Sequence, residues 1–494
     1  MSRHNLRMDE TVLEEALDLL VPEVLQVSGA PGISLAVGRG DGVTLARGYG
    51  LADIATARPM DASTVGPTGS DAKPYTALAA MQLVQSGHLD LDGPVNQHLD
   101  SFSVINPLGE REITLRDLLT HRSGLGTTFG FCDLMPPPAL GAHLRKVFED
   151  GRTDIYGGSV FPLWTTPVGT NYQYSNTGIA LVGYLVEQAN PGGGSFSDWV
   201  SRHVFRPLEM TSTFFPPVQS VEHVPAEVLN RRSTGYATLE TVKFCLPQIH
   251  VGDYPAGSAL TIPSDHCRFL LAIANGGQLG TQRLIDSDLA RMMITPQAPR
   301  GPDPSTSVGI VWNLFNHGDP AFYFGHGGEY MWGWNNVSRV WPGQGVAATA
   351  NTNQWDLGDN GTSDRPSHLA GLLVLGVVQA WVHGIDPRPT RSAVSARSYL
   401  AGVIVADRLG ARLGMASRPS LDDLQEVARS AVPASKNAWD PAAFGEALTD
   451  LRQAQGPADI FNVARREVSE HQRQIFQRQL GVPGLGRLAA MFDA

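Results

Sequence analysis

Lysine is nearly missing from this chain of 494 residues: it stands only at Lys73, Lys146, Lys243 and Lys436, and arginine carries the other positive side chains. Cysteine is scarce too, at Cys132, Cys245 and Cys267. An odd number at unrelated spacings excludes a disulfide framework and a zinc pattern. There is no run of basic residues, and the net charge is −11. That balance argues against a general nucleic-acid or anionic-membrane surface. No apolar run is long enough to span a membrane. The first residues, Met1 to Gln26, carry Asp9, Glu10, Glu14, Glu15 and Asp18 among their apolar positions. This is an amphipathic helix pattern, without the basic start and apolar core of a signal peptide, so a cytoplasmic location is expected. Metal-ligand spacing is absent. Pro191-Gly192-Gly193-Gly194 lacks the Lys-Ser or Lys-Thr of a phosphate loop, so neither metal nor cofactor is expected. What remains is globular: 42% hydrophobic and 17% charged residues, in a chain long enough for two or three structural units.

Against that scarcity, the stretch Gly69-Ser70-Asp71-Ala72-Lys73 stands out. Residues at i and i+3 share a helix face, so Ser70 and Lys73 place a hydroxyl beside an amine. Gly69 permits a close turn into the helix. Pro74 fits if the helix starts near Ser70, where first-turn N–H groups lack helical partners. The sequel Ala77-Leu78-Ala79-Ala80-Met81 is apolar nearly all round, as in a helix inside a protein. A serine hydroxyl needs a neighbouring base to become a nucleophile, and a lysine serves if its surroundings lower its pKa. The blander reading is an N-cap serine followed by a solvated lysine, which the apolar sequel disfavours.

Helices are predicted over Glu10 to Val27, Ser70 to Ser86, Ile113 to Leu119 (capped by Thr114 with Asp117 three residues on), Ala142 to Glu149, Gly178 to Gln188, Phe196 to Phe205, Ser264 to Ala274 and His368 to Val382. Strands are predicted over Gly32 to Val37, Val43 to Gly50, Gly309 to Phe315, Ala321 to Phe324, Trp334 to Trp341 and Gly345 to Asn351, with residues 216–256 rich in loops. From about Asp386 the composition turns to Ala and Arg with helical periodicity. Residues 386–494 are expected to form an appended helical unit behind a domain spanning 1–385.

Two later motifs join the first. Tyr174-Ser175-Asn176 stands before a predicted helix, and His326-Gly327-Gly328 follows a predicted strand. Each alone has a structural reading, an Asx-capped turn and a strand end. Together with Ser70-x-x-Lys73, in this order, they resemble the serine β-lactamase-like superfamily of class C β-lactamases, D,D-peptidases, D-aminopeptidases and esterases. Gly87-His88-Leu89-Asp90-Leu91-Asp92-Gly93-Pro94-Val95 and Ile113-Thr114-Leu115-Arg116-Asp117-Leu118-Leu119-Thr120-His121-Arg122-Ser123-Gly124-Leu125 are similar to family segments as well. The resemblance covers roughly Glu10 to Val382.

The resemblance implies an α/β (α+β) fold. An antiparallel sheet (about 10–55 and 305–385) is flanked by helices, and an all-α part (about 60–300) carries the serine helix. It implies that Ser70 is the nucleophile of an acyl-enzyme, with Lys73 and Tyr174 sharing proton transfer. The adjacent ammonium is expected to lower the tyrosine's pKa. Asn176 would orient the substrate and contact Lys73. The oxyanion hole would be the N–H groups of Ser70 and of Glu329, just after Gly328. His326 stands where β-lactamases carry the lysine of Lys-Thr-Gly. A histidine there is expected to be neutral and to donate a hydrogen bond to the substrate or the tyrosine. His121 is read as structural. Tyr330, Trp332 and Trp334 are read as acyl-pocket lining or strand packing. The expected function is a serine hydrolase or acyltransferase on a small-molecule ester or amide. A β-lactamase or peptidase, and a non-catalytic binding protein, are the alternatives. Residues 386–494 are the expected contact for a carrier protein or for a second copy in a homo-oligomer.

Overall fold

A computed structural model describes residues 9–126, 132–133, 137–150, 152–155, 159–216, 224–239, 242–246, 250–301, 306–320, 322–330, 333–356 and 366–384. The appended helical unit expected at 386–494 lies outside them, as does Trp332.

A ten-stranded antiparallel sheet organises the chain. Strand β1 (Gly32–Arg39) pairs on one side with β2 (Gly42–Asp53) and on the other with strand Val346–Thr352, so the two ends of the domain meet in the sheet's middle. Strand Trp334–Trp341 follows, paired to both Tyr323–Gly325 and Gly327–Tyr330. Alternation along β1 divides its side chains between two layers. Ile33, Leu35 and Val37 pack with Leu13, Leu17 and Val21 of helix α1 (Glu10–Ser28) and with Val374 and Val378 of helix Pro366–Val382. On the opposite face, Ala36 joins the second core. There a Cβ on Gly38 would stand 2.6 Å from Leu271 of helix Pro263–Ala274. Helix α1 starts at an Asp9 cap that accepts from the Thr11 N–H, and it ends at Gly29, whose φ of 69° is left-handed.

The second core holds helix α2 (Lys73–Gln85), entered through a 3₁₀ turn at Gly69–Ala72. The sequence expectation of one helix from Ser70 is thereby refined, and Pro74 sits in the first α-helical turn as its missing N–H requires. Leu78, Met81 and Leu83 are fully buried, each stabilising the fold by roughly 1.5–3 kcal/mol. Tyr75 makes edge contacts with Phe205, Phe215 and Phe269. Helices α3 (Leu115–Leu119, with the Thr114–Asp117 capping box), α4 (Leu140–Asp150) and α5 (Asn176–Ala189) complete the wall around it.

Two expectations change. The strand expected over 309–315 is two strands, Thr306–Val308 and Asn313–Phe315, joined by a turn. Tertiary hydrogen bonds break it: the Ile310 N–H donates to the Met293 carbonyl and the Val311 N–H to the Leu119 carbonyl, with Val311 at φ 59°. The loop-rich 216–256 contains a hairpin, Gly235–Leu239 with Val242–Leu246, paired in parallel to Gln354–Asp356.

Candidate active site

The nucleophile turn is pinned between two glycines. Gly69 has φ 53°, and a Cβ there would stand 2.8 Å from the backbone N, C and O of Glu329. A Cβ on Gly328 would stand 1.8 Å from the Thr68 carbonyl oxygen. Only residues without side chains allow strand Gly327–Tyr330 to lie this close to the turn. The closeness lays the Glu329 backbone against Gly69, the residue before Ser70.

On the helix side, Lys73 Nζ donates to Ser70 Oγ at 2.9 Å and to the Ala256 carbonyl at 2.7 Å. Thr76 Oγ1 donates to the neighbouring Pro255 carbonyl at 2.6 Å. The turn Tyr254–Ala256 is therefore fastened to α2 by two consecutive carbonyls. Lys73 is completely buried. Burial pushes it well below the usual lysine range, against the opposing pull of Asp253 and then Asp71.

Tyr174 reaches the same point from the start of α5. Its hydroxyl bonds Ser70, and its ring lies under Lys73 Nζ at 4.8 Å. Burial pushes its pKa up, with the Ser70 bond opposing. The expected lowering by an ammonium is thus reversed, because desolvation outweighs the neighbours and Lys73 itself is driven toward the neutral amine. His121 frames this tyrosine. Its carbonyl accepts from the Gln173 N–H at 2.7 Å, its Nδ1 from the Ser175 N–H at 3.2 Å, and the two rings are 4.6 Å apart. Ser175 Oγ caps α5 by accepting from the Gly178 N–H at 3.0 Å. His121 is therefore placed to hold Tyr174 rather than to react, as its structural reading supposed.

Asn176 opens α5 beside Tyr174. The hydrogen bonds of Lys73 go to Ser70 and Ala256, not to Asn176. His326 stands with its ring 6.4 Å from that of Tyr174. Burial lowers its pKa to about 4, so the ring is neutral near pH 7. Its Nδ1 lies 2.6 Å from the Gly327 carbonyl. That carbonyl accepts from the ring N–H at Nδ1, which leaves Nε2 of the neutral ring as an acceptor, so the expected donation toward substrate or tyrosine is corrected to acceptance. Tyr330 and Trp334 are buried, 6.0 Å apart edge to face, and Trp334 Nε1 donates to Ser233 Oγ at 2.8 Å. Strand packing accounts for both.

Sequence reasoning missed Arg300. Its guanidinium bonds Tyr172, and its charge acts on His121, Tyr174 and His326. It belongs to no local motif, and strand pairing brings it to the site. Among the described residues, no group of three or more His, Cys, Asp and Glu side chains could hold a metal ion. No described helix is long and apolar enough to cross a membrane.

The family model described as Beta-lactamase matches residues 17–372. Protein flp of Staphylococcus aureus (strain MW2) is 28% identical over 203 residues, 41% of this chain and 38% of that protein. The match thus spans little more than a third of that relative's length. Penicillin-binding protein 4 of Amycolatopsis lactamdurans is 28% identical over 379 residues, 75% of this chain and 93% of the relative. Among solved structures, an octameric penicillin-binding protein homologue from Pyrococcus abyssi superposes with a TM-score of 0.58. It is 20% identical over 80% of this chain and 82% of that one. A penicillin-binding protein from Bacillus halodurans gives 0.54 at 22% identity, over 68% of this chain and 94% of that one.

Proposed function

The chain belongs to the β-lactamase family, and from that premise we propose that it is a serine hydrolase or acyltransferase that forms an acyl-enzyme on Ser70 from an ester or amide. The observation that carries this reading is the 2.9 Å bond between Ser70 Oγ and the fully buried Lys73 Nζ. A neutral amine held against a hydroxyl is a base in place. As Oγ bonds to the substrate carbonyl carbon, its proton passes to Lys73 and the carbonyl electron pair moves onto oxygen. The Ser70 and Glu329 N–H groups receive that oxyanion. Tyr174, kept protonated by burial, gives its proton to the leaving group and regains one from Lys73. Asn176 and His326 Nε2 orient the substrate, and Gly328 lets the Glu329 amide approach. Water or an acceptor alcohol then takes the acyl group by the reverse path.

The test is mass spectrometry of the chain quenched during turnover of a short-chain p-nitrophenyl ester. The acyl mass should appear on the peptide containing Ser70; an acyl mass on another peptide alone would sink the assignment. The name of the Amycolatopsis relative supports a second reading, a D,D-peptidase acylated by penicillin. A fluorescent penicillin should label Ser70 if that reading is right. The octameric assembly of the Pyrococcus protein supports a homo-oligomer, and residues 386–494, beyond the family match, are proposed as a separate helical unit.

Substrate charge has its own test. With His326 neutral, Arg300 is the cation that a substrate carboxylate would meet. A partly desolvated contact of that kind contributes ~1.5–3 kcal/mol. Arg300→Gln should therefore lower the kcat/KM ratio of a carboxylated to an uncharged ester by roughly 10–100-fold. An unchanged ratio would remove Arg300 from substrate recognition.

A further inference from the structure

Lys73 becomes positive when it takes the proton of Ser70, and it does so where its side chain has no contact with water. Its hydrogen bonds go to a hydroxyl and a carbonyl, not to a carboxylate. Two buried carboxylates, Asp253 and Asp71, nevertheless favour its charged form, each built the same way. Asp71, fully buried in the nucleophile turn, accepts from Ser338 Oγ at 2.9 Å through Oδ1. Its Oδ2 lies 3.2 Å from Nε2 of the fully buried His266, off the line of a good hydrogen bond. Tyr75 OH stands 2.5 Å from His266 Nδ1. Asp253, also buried, lies 2.8 Å from His143 Nε2 through Oδ1 and accepts from Thr177 Oγ1 at 2.9 Å through Oδ2. Each carboxylate thus has one imidazole and one hydroxyl. Asp71 lies two residues before Lys73, and Asp253 begins the turn whose Ala256 carbonyl binds it.

Buried charge is costly and is retained where something pairs with it. No arginine or lysine closes either carboxylate–imidazole pair among the contacts above. We propose that Asp71–His266 and Asp253–His143 are twin positioning devices whose carboxylates hold the proton Lys73 takes from Ser70. This rests on the acyl-enzyme reading above. The carboxylates act on Lys73 as the third member of a serine triad acts on its histidine, but through space rather than through a hydrogen bond. Both oppose the burial that drives Lys73 toward the neutral amine. The other groups that face Lys73 are Ser70, the Tyr174 ring, His121 and His326. Burial, with the charge of Arg300 and the charge Lys73 gains with the proton, holds both histidines toward the neutral form, while Asp71 pulls His326 the other way.

The sign follows. A carboxylate favours the ammonium, so removing it lowers the Lys73 pKa, and the amine becomes available at lower pH but as a weaker base. The experiment is the second-order rate of labelling of the full-length chain by a fluorophosphonate probe, from about pH 5 to about pH 9. Asp71→Asn and Asp253→Asn should each move the acidic limb down by about one pH unit and lower the plateau about tenfold. Asp71→Glu and Asp253→Glu keep the charge and should keep the limb at its wild-type position. A structural role alone would lower the rate without moving the limb. The two carboxylates lie on separate elements, so a variant that does not fold leaves the other to decide. Wild type unlabelled at Ser70 would overturn the acyl-enzyme reading itself. Wild type labelled, with the limb unmoved in a folded Asn variant, would overturn the carboxylate proposal alone.

Discussion

Lys73→Met is expected to leave a folded protein whose acylation at Ser70 is slowed ~10²–10⁴-fold. Methionine fills most of the space of the lysine stem at the buried start of α2, so the packing around that position is kept. What goes is the amine, and with it the donor to Ser70 and to the Ala256 carbonyl. The orphaned carbonyl costs about 1–3 kcal/mol. A second effect has the opposite sign. Burial holds Lys73 well below the ordinary lysine range, whereas the unfolded chain returns it to about 10.4. Between those values the unfolded state binds a proton that the folded state lacks. Wild-type stability from this group is therefore reduced at neutral pH and recovers as pH rises toward about 10. Methionine has no such dependence. The stability of the variant relative to wild type should be greatest near neutral pH and decline toward pH ~10 in paired thermal melts. A relative stability flat across that window would mean that Lys73 is charged in the folded protein and is not the resting base.

Such an effect marks where the sequence stops being readable. The meeting of Ser70 and Lys73 was legible from their i, i+3 spacing, and the place of Tyr174 from the capped start of α5. The all-round apolar run after Pro74 did predict a buried helix, α2, and Trp334–Trp341 came out with its ends correct because aromatic and β-branched residues bound it. Proton affinities were not legible. The expectation for Tyr174 took account of a neighbouring charge and not of burial, and burial is a property of the assembled fold. Asp71 was in plain view between Ser70 and Lys73, yet His266 and Ser338 reach it across 195 and 267 residues of chain. Arg300 likewise enters the site through strand pairing, outside any motif. The turn at 309–312 looked like strand because its residues are good strand formers, and contacts from Met293 and Leu119 overrode that preference.

Gly328→Ala is expected to reduce kcat by ~10²–10³-fold while the catalytic side chains remain in place, because the oxyanion hole depends on how closely two backbones meet. The alanine methyl would begin 1.8 Å from the Thr68 carbonyl oxygen and 3.0 Å from the Asp71 amide nitrogen. Both are backbone atoms of the nucleophile turn, so no rotamer change relieves the clash. Strand Gly327–Tyr330 is held on its other edge by Trp334–Trp341, where Gly328 pairs with Asn336. The strand must therefore lift away from the turn locally, taking the Glu329 amide with it. A displacement of about 1 Å at a reacting centre can cost ~10²-fold. Gly69→Ala attacks the same junction from the other side, since its Cβ would stand 2.8 Å from the Glu329 backbone at a φ of 53° that disfavours alanine. Gly343, with nothing within 4 Å of its Cβ position, supplies the neutral control. Steady-state kinetics on the three variants, each checked for a cooperative melt, decide the matter. Loss in Gly328→Ala and Gly69→Ala, with Gly343→Ala at wild-type rate, is the expected pattern. A folded Gly328→Ala within about threefold of wild type would show that the Glu329 amide does not hold the oxyanion.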